Sequence, residues 1–268
     1  RERLVAVSEQ LAERDCWLAV VGYVRIHGRT FALAPLQRFV VRVFCGDEHP
    51  LGMSDESLGS EWDERFAAGA YPRDPEPSPV LCAYASSIPD GRALDIAAGT
   101  GRNTVYLADA GYDVDAIDAS REGLATIRER ATEHDVADAV STIHADATTY
   151  ELPTARYELV TMSFYHTLDR FPDLSAALVP GGYLFVEGHL RSTDSTPSGP
   201  SDDVHRFGSN DLLRAGLGLT VLHYDETTAE RSADRRRATA RLLARRSSGP
   251  TQSYPARPNE NELTATDE

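Results

Sequence analysis

The chain has 268 residues, 41% of them hydrophobic, enough for one α/β domain with additions or at most two domains. Its 42 acidic residues stand against 27 basic ones, every one an arginine, for a formal net charge of −15. That balance repels phosphate backbones and argues against a DNA or RNA substrate.

An acid excess of this size resembles the composition of salt-adapted proteins. A GC-rich genome would account for arginine replacing lysine, but not for the excess of acid. Cys16, Cys45 and Cys82 are widely spaced and form neither a disulfide framework nor a metal-binding CxxC pair, so a reduced, cytoplasmic setting without a metal centre is expected. The longest apolar run, Cys16 to Val24, falls well short of the roughly 20 residues that span a bilayer, and no membrane partner is expected. No signal peptide is evident.

Residues 1–52 differ from the rest. They carry seven Arg against six acids, so the negative charge of the chain resides in the remainder. Met53-Ser-Asp-Glu-Ser57 reads like a natural start. The segment is either an accessory element, with a helix near 2–14 and strands near 17–25 and 38–45, or upstream sequence from a misplaced translation start. The break in composition favours the second reading. A helix then carries Trp62 and Phe66 at i and i+4, on one face. They would form a lid over a site or, the favoured reading, pack into the core.

From residue 93 onward strands and helices alternate. Ala93–Ala98 is a short apolar strand. Arg102–Ala110 has helical spacing, with Gly111 as its C-terminal stop. Asp113–Asp118 alternates like a strand, and Ser120 N-caps a helix to about Glu133. Val140–His144, Tyr157–Ser163 and, after the turn Pro180-Gly-Gly182, Gly182–Glu187 are further strands. Ser209 caps a short helix, Asn210–Arg214. Leu219–Tyr224 and Ala238–Ala244 are two final strands, close enough to pair antiparallel, with Arg235-Arg-Arg237 as a turn before the last. Residues 248–268 are polar and predict a disordered tail. The fold class expected is α/β: a doubly wound, seven-stranded, mostly parallel sheet over about 53–247, with the last strand antiparallel.

The chemistry concentrates at one turn. In Ala93-Leu-Asp-Ile-Ala-Ala-Gly-Thr-Gly-Arg-Asn103 a strand passes through Gly99 and Gly101 into a helix. The glycines permit a sharp turn and close approach of a ligand, and the helix start offers free N–H groups. A dinucleotide fingerprint would need a third glycine, and Arg102-Asn-Thr104 follows instead. Asp95, inside the strand, would repel a pyrophosphate but suits an ammonium group. Those two features favour S-adenosylmethionine (SAM) over NAD. Asp118, ending the second strand, is placed to accept from both ribose hydroxyls. Asp146, after the third, is placed to accept from an adenine amine. Each acid alone is as well explained as an N-cap or a solvated residue. Three of them at successive strand ends beside one glycine-rich turn form a far more specific pattern.

On these residues, with Arg102-Asn-Thr-Val-Tyr-Leu-Ala108, Gly111-Tyr-Asp-Val114, Asp118-Ala-Ser120 and Val179-Pro-Gly-Gly-Tyr183, the chain resembles class I SAM-dependent methyltransferases over roughly 60–246. Glu61-Trp-Asp-Glu-Arg-Phe66 and His205-Arg-Phe-Gly-Ser-Asn-Asp-Leu-Leu213 resemble the branch containing tellurite-resistance and thiol or small-molecule methyltransferases. The resemblance implies SAM as cofactor. Asp95 would stand at the foot of the turn, with backbone from Ala97, Ala98, Gly99, Thr100 and Gly101 along the methionine moiety. Asp118 would bind the ribose, with Ala119 also in the cofactor site, Asp146 and Ala147 would flank the adenine, and Ser163 would close the site. The family often has Gly where this chain has Ala97, and Ala fits there only if its backbone stays extended.

The acceptor implied is a small molecule: a thiol, a chalcogen oxyanion or a small metabolite. In-line methyl transfer asks the protein mainly to align and desolvate the nucleophile. If a base is used, His166 in Ser163-Phe-Tyr-His166 is the first candidate, with Glu187 and His189 next; a packed or surface role for His166 competes. The Asn/Asp-Pro-Pro-Tyr/Phe motif of amide- and base-nitrogen methylation is absent after the 157–163 strand. Two rivals remain: a non-catalytic SAM-binding or sensing module, and a nucleotide-cofactor oxidoreductase. Nothing in the sequence indicates the oligomeric state.

Overall fold

The computed structural model describes residues 23–26, 29–32, 55–193, 199–232, 235–256 and 258. The chain divides into two compact units, Arg1–Leu51 and Gly52–Glu268. In the first, β1 (Tyr23–Ile26) and β2 (Arg29–Ala32) form an antiparallel hairpin. The strand expected near 17–25 overlaps β1 and β2 was not anticipated. The helix near 2–14 and the strand near 38–45 lie outside the described residues.

The second unit is built on a seven-stranded sheet. Its strands are β3 (Arg92–Ile96), β4 (Asp113–Asp118), β5 (Val140–His144), β6 (Tyr157–Ser163), β7 (Leu178–His189), β8 (Thr220–Ser232) and β9 (Arg235–Arg245). Their spatial order is β5-β4-β3-β6-β7-β9-β8. Pairing is parallel from β5 to β7, and β9 runs antiparallel to both β7 and β8. The strand reversal expected at the end of the chain is therefore present.

Among the described residues six α-helices accompany the sheet: α1 (Asp55–Ala67), α2 (Pro79–Ala85), α3 (Arg102–Asp109), α4 (Arg121–Glu133), α5 (Phe171–Ala177) and α6 (Asp211–Gly216). Val80 and Leu81 of α2 and Leu107 of α3 bury against Ala93, Leu159 and Phe185. Leu124 and Ile127 of α4 bury beside Ala116. Phe171 and Leu174 of α5 and Leu212 of α6 cover the other face, on Leu94, Val160, Met162 and Leu184. A central strand such as β6 is thus apolar on both sides, as a parallel sheet covered by helices requires.

Local chemistry explains most boundaries. Ser120 caps α4, accepting from the Gly123 N–H. Past α3, Gly111 takes φ 98° and donates to the Ala108 carbonyl, and Tyr112 donates to that of Leu107. At α6 the expected cap is displaced by one residue. Asn210 holds the N-cap with φ 63°, while Ser209 donates to Glu226. The Arg235-Arg-Arg237 triplet belongs to β9 rather than to a turn, because β8 and β9 extend well past the apolar residues that marked them. From the tail, Gln252 accepts from Arg245, whose guanidinium also lies 5.4 Å from the Tyr254 ring. Residues 257 and 259–268 lie outside the described set.

The chain leaves β3 for β4 on one side and later returns to β6 on the other. The two crossovers part at the carboxyl ends of β3 and β6, the position where open α/β sheets bind ligands.

Candidate functional site

The turn after β3 is held from below by a carboxylate. Asp95 is 2% exposed. Its Oδ2 accepts from Thr104 Oγ1 of α3 at 2.7 Å and its Oδ1 from Thr161 Oγ1 of β6 at 2.8 Å. Burial raises its pKa to about 6 against the pull of these two bonds, and the nearby charge of Asp118 adds to the rise. Asp95 therefore ties the strand to the first turn of α3 and to the neighbouring strand.

Ala97 overturns the extended backbone on which its fit depended. Its φ is 53°, in the left-handed region, as are Gly99 at 57° and Gly101 at 87°. A β-carbon there costs about 1–2 kcal/mol, and a glycine would give back about 0.5–1 kcal/mol in chain entropy. The Ala97→Gly variant should therefore be more stable by about 0.5–1 kcal/mol. Thermal melts check this, and a lower melting temperature would place the strain elsewhere. Glycine is needed at 101 for space as well, since a Cβ would come within 2.8 Å of Ile127. The Thr100 carbonyl accepts from the buried Arg130, which also pairs with Asp74.

Asp118 closes the turn from the side. Its Oδ2 accepts from the Gly99 N–H at 2.7 Å and its Oδ1 from the Ser120 N–H at 2.8 Å. Burial raises its pKa, opposed by these two bonds. A carboxylate has about four lone-pair sites, so each oxygen keeps capacity for a hydroxyl. The adjacent Ala119 carbonyl accepts from His144 Nε2 at 2.8 Å. Beyond β5, Asp146 is half-buried. Both of the bonds to its carboxylate, from the Thr148 N–H and Oγ1 at 2.7 Å each, fall on Oδ1. Ala147 is buried with Ile96 and Ile117. Tyr165, which the sequence reading overlooked, lies within electrostatic reach of both Asp146 and Asp118. Burial first, then the charge of Asp146, pushes its pKa up to about 12.

Ser163 ends β6, and its Oγ accepts from Asn103 Nδ2 of α3 at 2.9 Å. Asn103 is 1% exposed and its Oδ1 has no partner among the described residues. Phe164 follows with φ 56°, an uncommon conformation for an aromatic residue. Its ring lies 4.8 Å from that of His189, with Arg102 at 5.3 Å and Arg237 at 5.1 Å. Buried Glu187 accepts from Arg102 at 2.6 Å and from Ser78 Oγ at 3.1 Å, with Arg241 at 3.6 Å.

His166 lies elsewhere. It packs on Phe207, ring centroids 4.5 Å apart, with its pKa lowered by burial and by Arg191 and His205. A Cβ on Gly188 would meet Phe207 at 2.4 Å. Neighbouring strand residues point to opposite faces, so His166 and His189 flank opposite sides of β7. His189 is neutral at ordinary pH, its pKa brought to about 3 by burial and then by Arg237 and Arg206.

Above the turn sit Trp62, Phe66 and Tyr71, with ring centroids 5.5–5.7 Å apart. A Cβ on Gly99 would lie 3.6 Å from Phe66 Cζ. Trp62 and Phe66 are only half-buried and belong to none of the three core clusters. The placement matches a cover over the turn rather than core packing. Asp63 fastens α1, accepting from Ser120 Oγ at 2.6 Å and the Glu122 N–H at 3.0 Å.

The residues present suit SAM. The strand-end carboxylates of Asp118 and Asp146 keep free lone pairs, and the left-handed glycines open the backbone. Sheet order and site together give the Rossmann-like fold of class I methyltransferases, with a cradle that suits SAM.

Known proteins agree. Residues 93–182 match the model of a methyltransferase domain family. A demethylmenaquinone methyltransferase from Clavibacter sepedonicus is 35% identical over 100 residues, 35% of this chain and 40% of that protein. The match thus spans about two fifths of that relative's length. Solved structures share the fold. TehB from Haemophilus influenzae has a TM-score of 0.55 at 20% identity, covering 70% of this chain and 66% of that one. The [4+2]-cyclase SpnF has a TM-score of 0.57 at 16% identity, covering 75% and 98%. Geranyl diphosphate C-methyltransferase from Streptomyces coelicolor A3(2) has a TM-score of 0.52 at 15% identity, covering 74% and 100%.

Proposed function

We propose that the chain transfers a methyl group from SAM to a small-molecule acceptor in the cytoplasm, with a thiol, a chalcogen oxyanion or a small metabolite as the acceptor class. The observation that carries this is the row of Asp95, Asp118 and Asp146 on β3, β4 and the loop after β5, beside one left-handed turn. Asp118 takes the ribose hydroxyls and Asp146 Oδ2 the adenine amine. The backbone of 97–101 follows the methionine moiety, with Ala119 and Ala147 as apolar walls and Ser163 at the methyl end. SAM, when bound, supplies the electrophilic methyl group on its sulfonium. Phe66 and Trp62 exclude water from the turn, which strengthens every charge interaction beneath them.

Calorimetric titration of SAM, S-adenosylhomocysteine (SAH) and NAD, at low and molar salt, tests the reading. Binding of the first two without NAD supports it, and a folded chain that binds neither SAM nor SAH overturns it. Turnover then separates an enzyme from a SAM-binding module. The SpnF likeness shows the same fold under a protein titled a cyclase, so the fold alone does not fix the chemistry.

His166 is a weak candidate base in this geometry. If it removes a proton during transfer, His166→Asn lowers kcat by about a hundredfold or more with unchanged SAM affinity. Since the ring packs on Phe207, we expect a change in kcat below tenfold. Steady-state kinetics across pH 5–9 decides between the two.

A further inference from the structure

The corner past Ser163 contains more than a cofactor site needs. Phe164 has a left-handed backbone and donates its N–H to the Glu187 carbonyl at 2.8 Å, which fixes the ring at the carboxyl ends of β6 and β7. Arg102 and Arg237 flank that ring at 5.3 and 5.1 Å, within the roughly 6 Å range of cation–π attraction. They come from α3 and β9, far apart in sequence. The His189 ring completes the wall at 4.8 Å.

Two buried side-chain atoms other than arginine nitrogens have no partner among the described residues. These are Asn103 Oδ1 and His189 Nδ1. Asn103 bonds Ser163, next to Phe164, and His189 touches Phe164, so both orphans border one corner. A buried unsatisfied polar atom costs about 1–3 kcal/mol and asks for an explanation, of which a missing ligand is one. A guanidinium has five N–H donors in a planar fork, so each arginine can serve its protein partners and still take a ligand oxygen.

We propose that Arg102, Phe164, His189 and Arg237 seat the methyl acceptor and select one that carries an anionic group on a flat, apolar body. The inference rests on the methyltransferase reading. The body lies on the Phe164 and His189 rings, and the anionic group meets the Arg237 fork. In a chain of net charge −15, a basic wall at this corner draws in an anion that the rest of the surface repels.

The test uses the full chain saturated with SAH and two probes that differ only in charge, 4-mercaptobenzoate and 4-mercaptobenzamide. Calorimetry should show the carboxylate binding at least tenfold more tightly than the amide. Arg237→Gln should abolish that preference, Arg237→Lys should restore part of it, and Phe164→Ala should weaken both probes together. SAH binding by each variant reports that it is folded. Equal binding of the two probes, no binding of either, or a preference untouched by Arg237→Gln overturns the proposal while leaving the cofactor reading intact. Failure of SAH itself to bind the parent chain removes both.

Discussion

Asp118→Ala should weaken SAM and SAH binding by roughly ten- to a hundredfold. The estimate follows from losing hydrogen bonds to a charged acceptor, about 1.5–3 kcal/mol, at 1.4 kcal/mol per factor of ten. The structure adds a second cost. The carboxylate also accepts from the Gly99 and Ser120 N–H groups, so alanine leaves two backbone donors at the turn without their acceptor. Asp118→Asn separates the effects, because its amide oxygen supports one of these donors but cannot take a full set of hydroxyls. Calorimetry with thermal melts on both variants is the measurement. Unchanged SAM affinity in the alanine variant would remove Asp118 from the ribose role. Because burial raises the Asp118 pKa, SAM affinity should also decline on acidification at a higher pH than an ordinary aspartate would produce.

The second large effect is in stability. Asp95 holds its proton more tightly folded, with a pKa of about 6, than in an open chain, at 3.8. The folded state therefore gains from protonation. That gain is fully present below pH 3.8 and is lost as pH rises through about 6. A displacement of this size corresponds to about 3 kcal/mol. Asp95→Asn has no such titration. Relative to the parent chain it should gain up to about 3 kcal/mol between pH 4 and pH 7, whatever its absolute stability. Urea unfolding at several pH values gives the difference directly. A gap that does not change with pH would mean that Asp95 ionises without penalty. The ionised carboxylate is kept because Thr104 and Thr161 both donate to it, joining three elements at the foot of the turn. The cost is an example of local stability given up where a ligand must bind.

The two arginine-rich corners of the domain serve different ends. Arg130, a buried residue of α4, has its fork on the Thr100 carbonyl and Asp74 and braces the turn. Arg102 and Arg241 converge on buried Glu187, and Arg241 continues to Asp225, which His223 meets at 2.7 Å. This ladder crosses from α3 to the outer strand β8. It holds the carboxyl end of β7 in place beside Phe164, so the geometry of the acceptor corner depends on β9 as much as on the glycine-rich turn.

The sequence by itself determined the sheet, and it singled out the glycine-rich turn and the strand-end acids of the candidate site. Its strands show as short apolar stretches or, in Asp113–Asp118, as alternation of apolar and acidic residues. Gly99, Gly101 and Gly111 mark changes of direction that only glycine makes cheaply, and the acids stand at strand ends where local spacing is enough to find them. Local signals also gave the α4 cap at Ser120. The seven-residue helices α2 and α5 escaped because so short a segment shows less than two turns of period, and each has a proline in its first two residues that reads equally well as a loop.

The tertiary structure decided the rest, since it depends on residues distant along the chain. Asp95 is a brace only because Thr161 is brought beside it from β6. Ala97 proved left-handed, a backbone property that an alanine gives no sign of. Trp62 and Phe66 cover the turn because Asp63 fastens α1 to the start of α4. The acceptor corner gathers residues from α3, β6, β7 and β9, and no spacing rule links Arg102 to Arg237. His166 looked suited to catalysis because it follows β6, yet strand alternation placed its packing on the Phe207 side of β7 and His189 on the other. Local propensity and chain spacing set which residues could form the site; long-range packing set which of them face it.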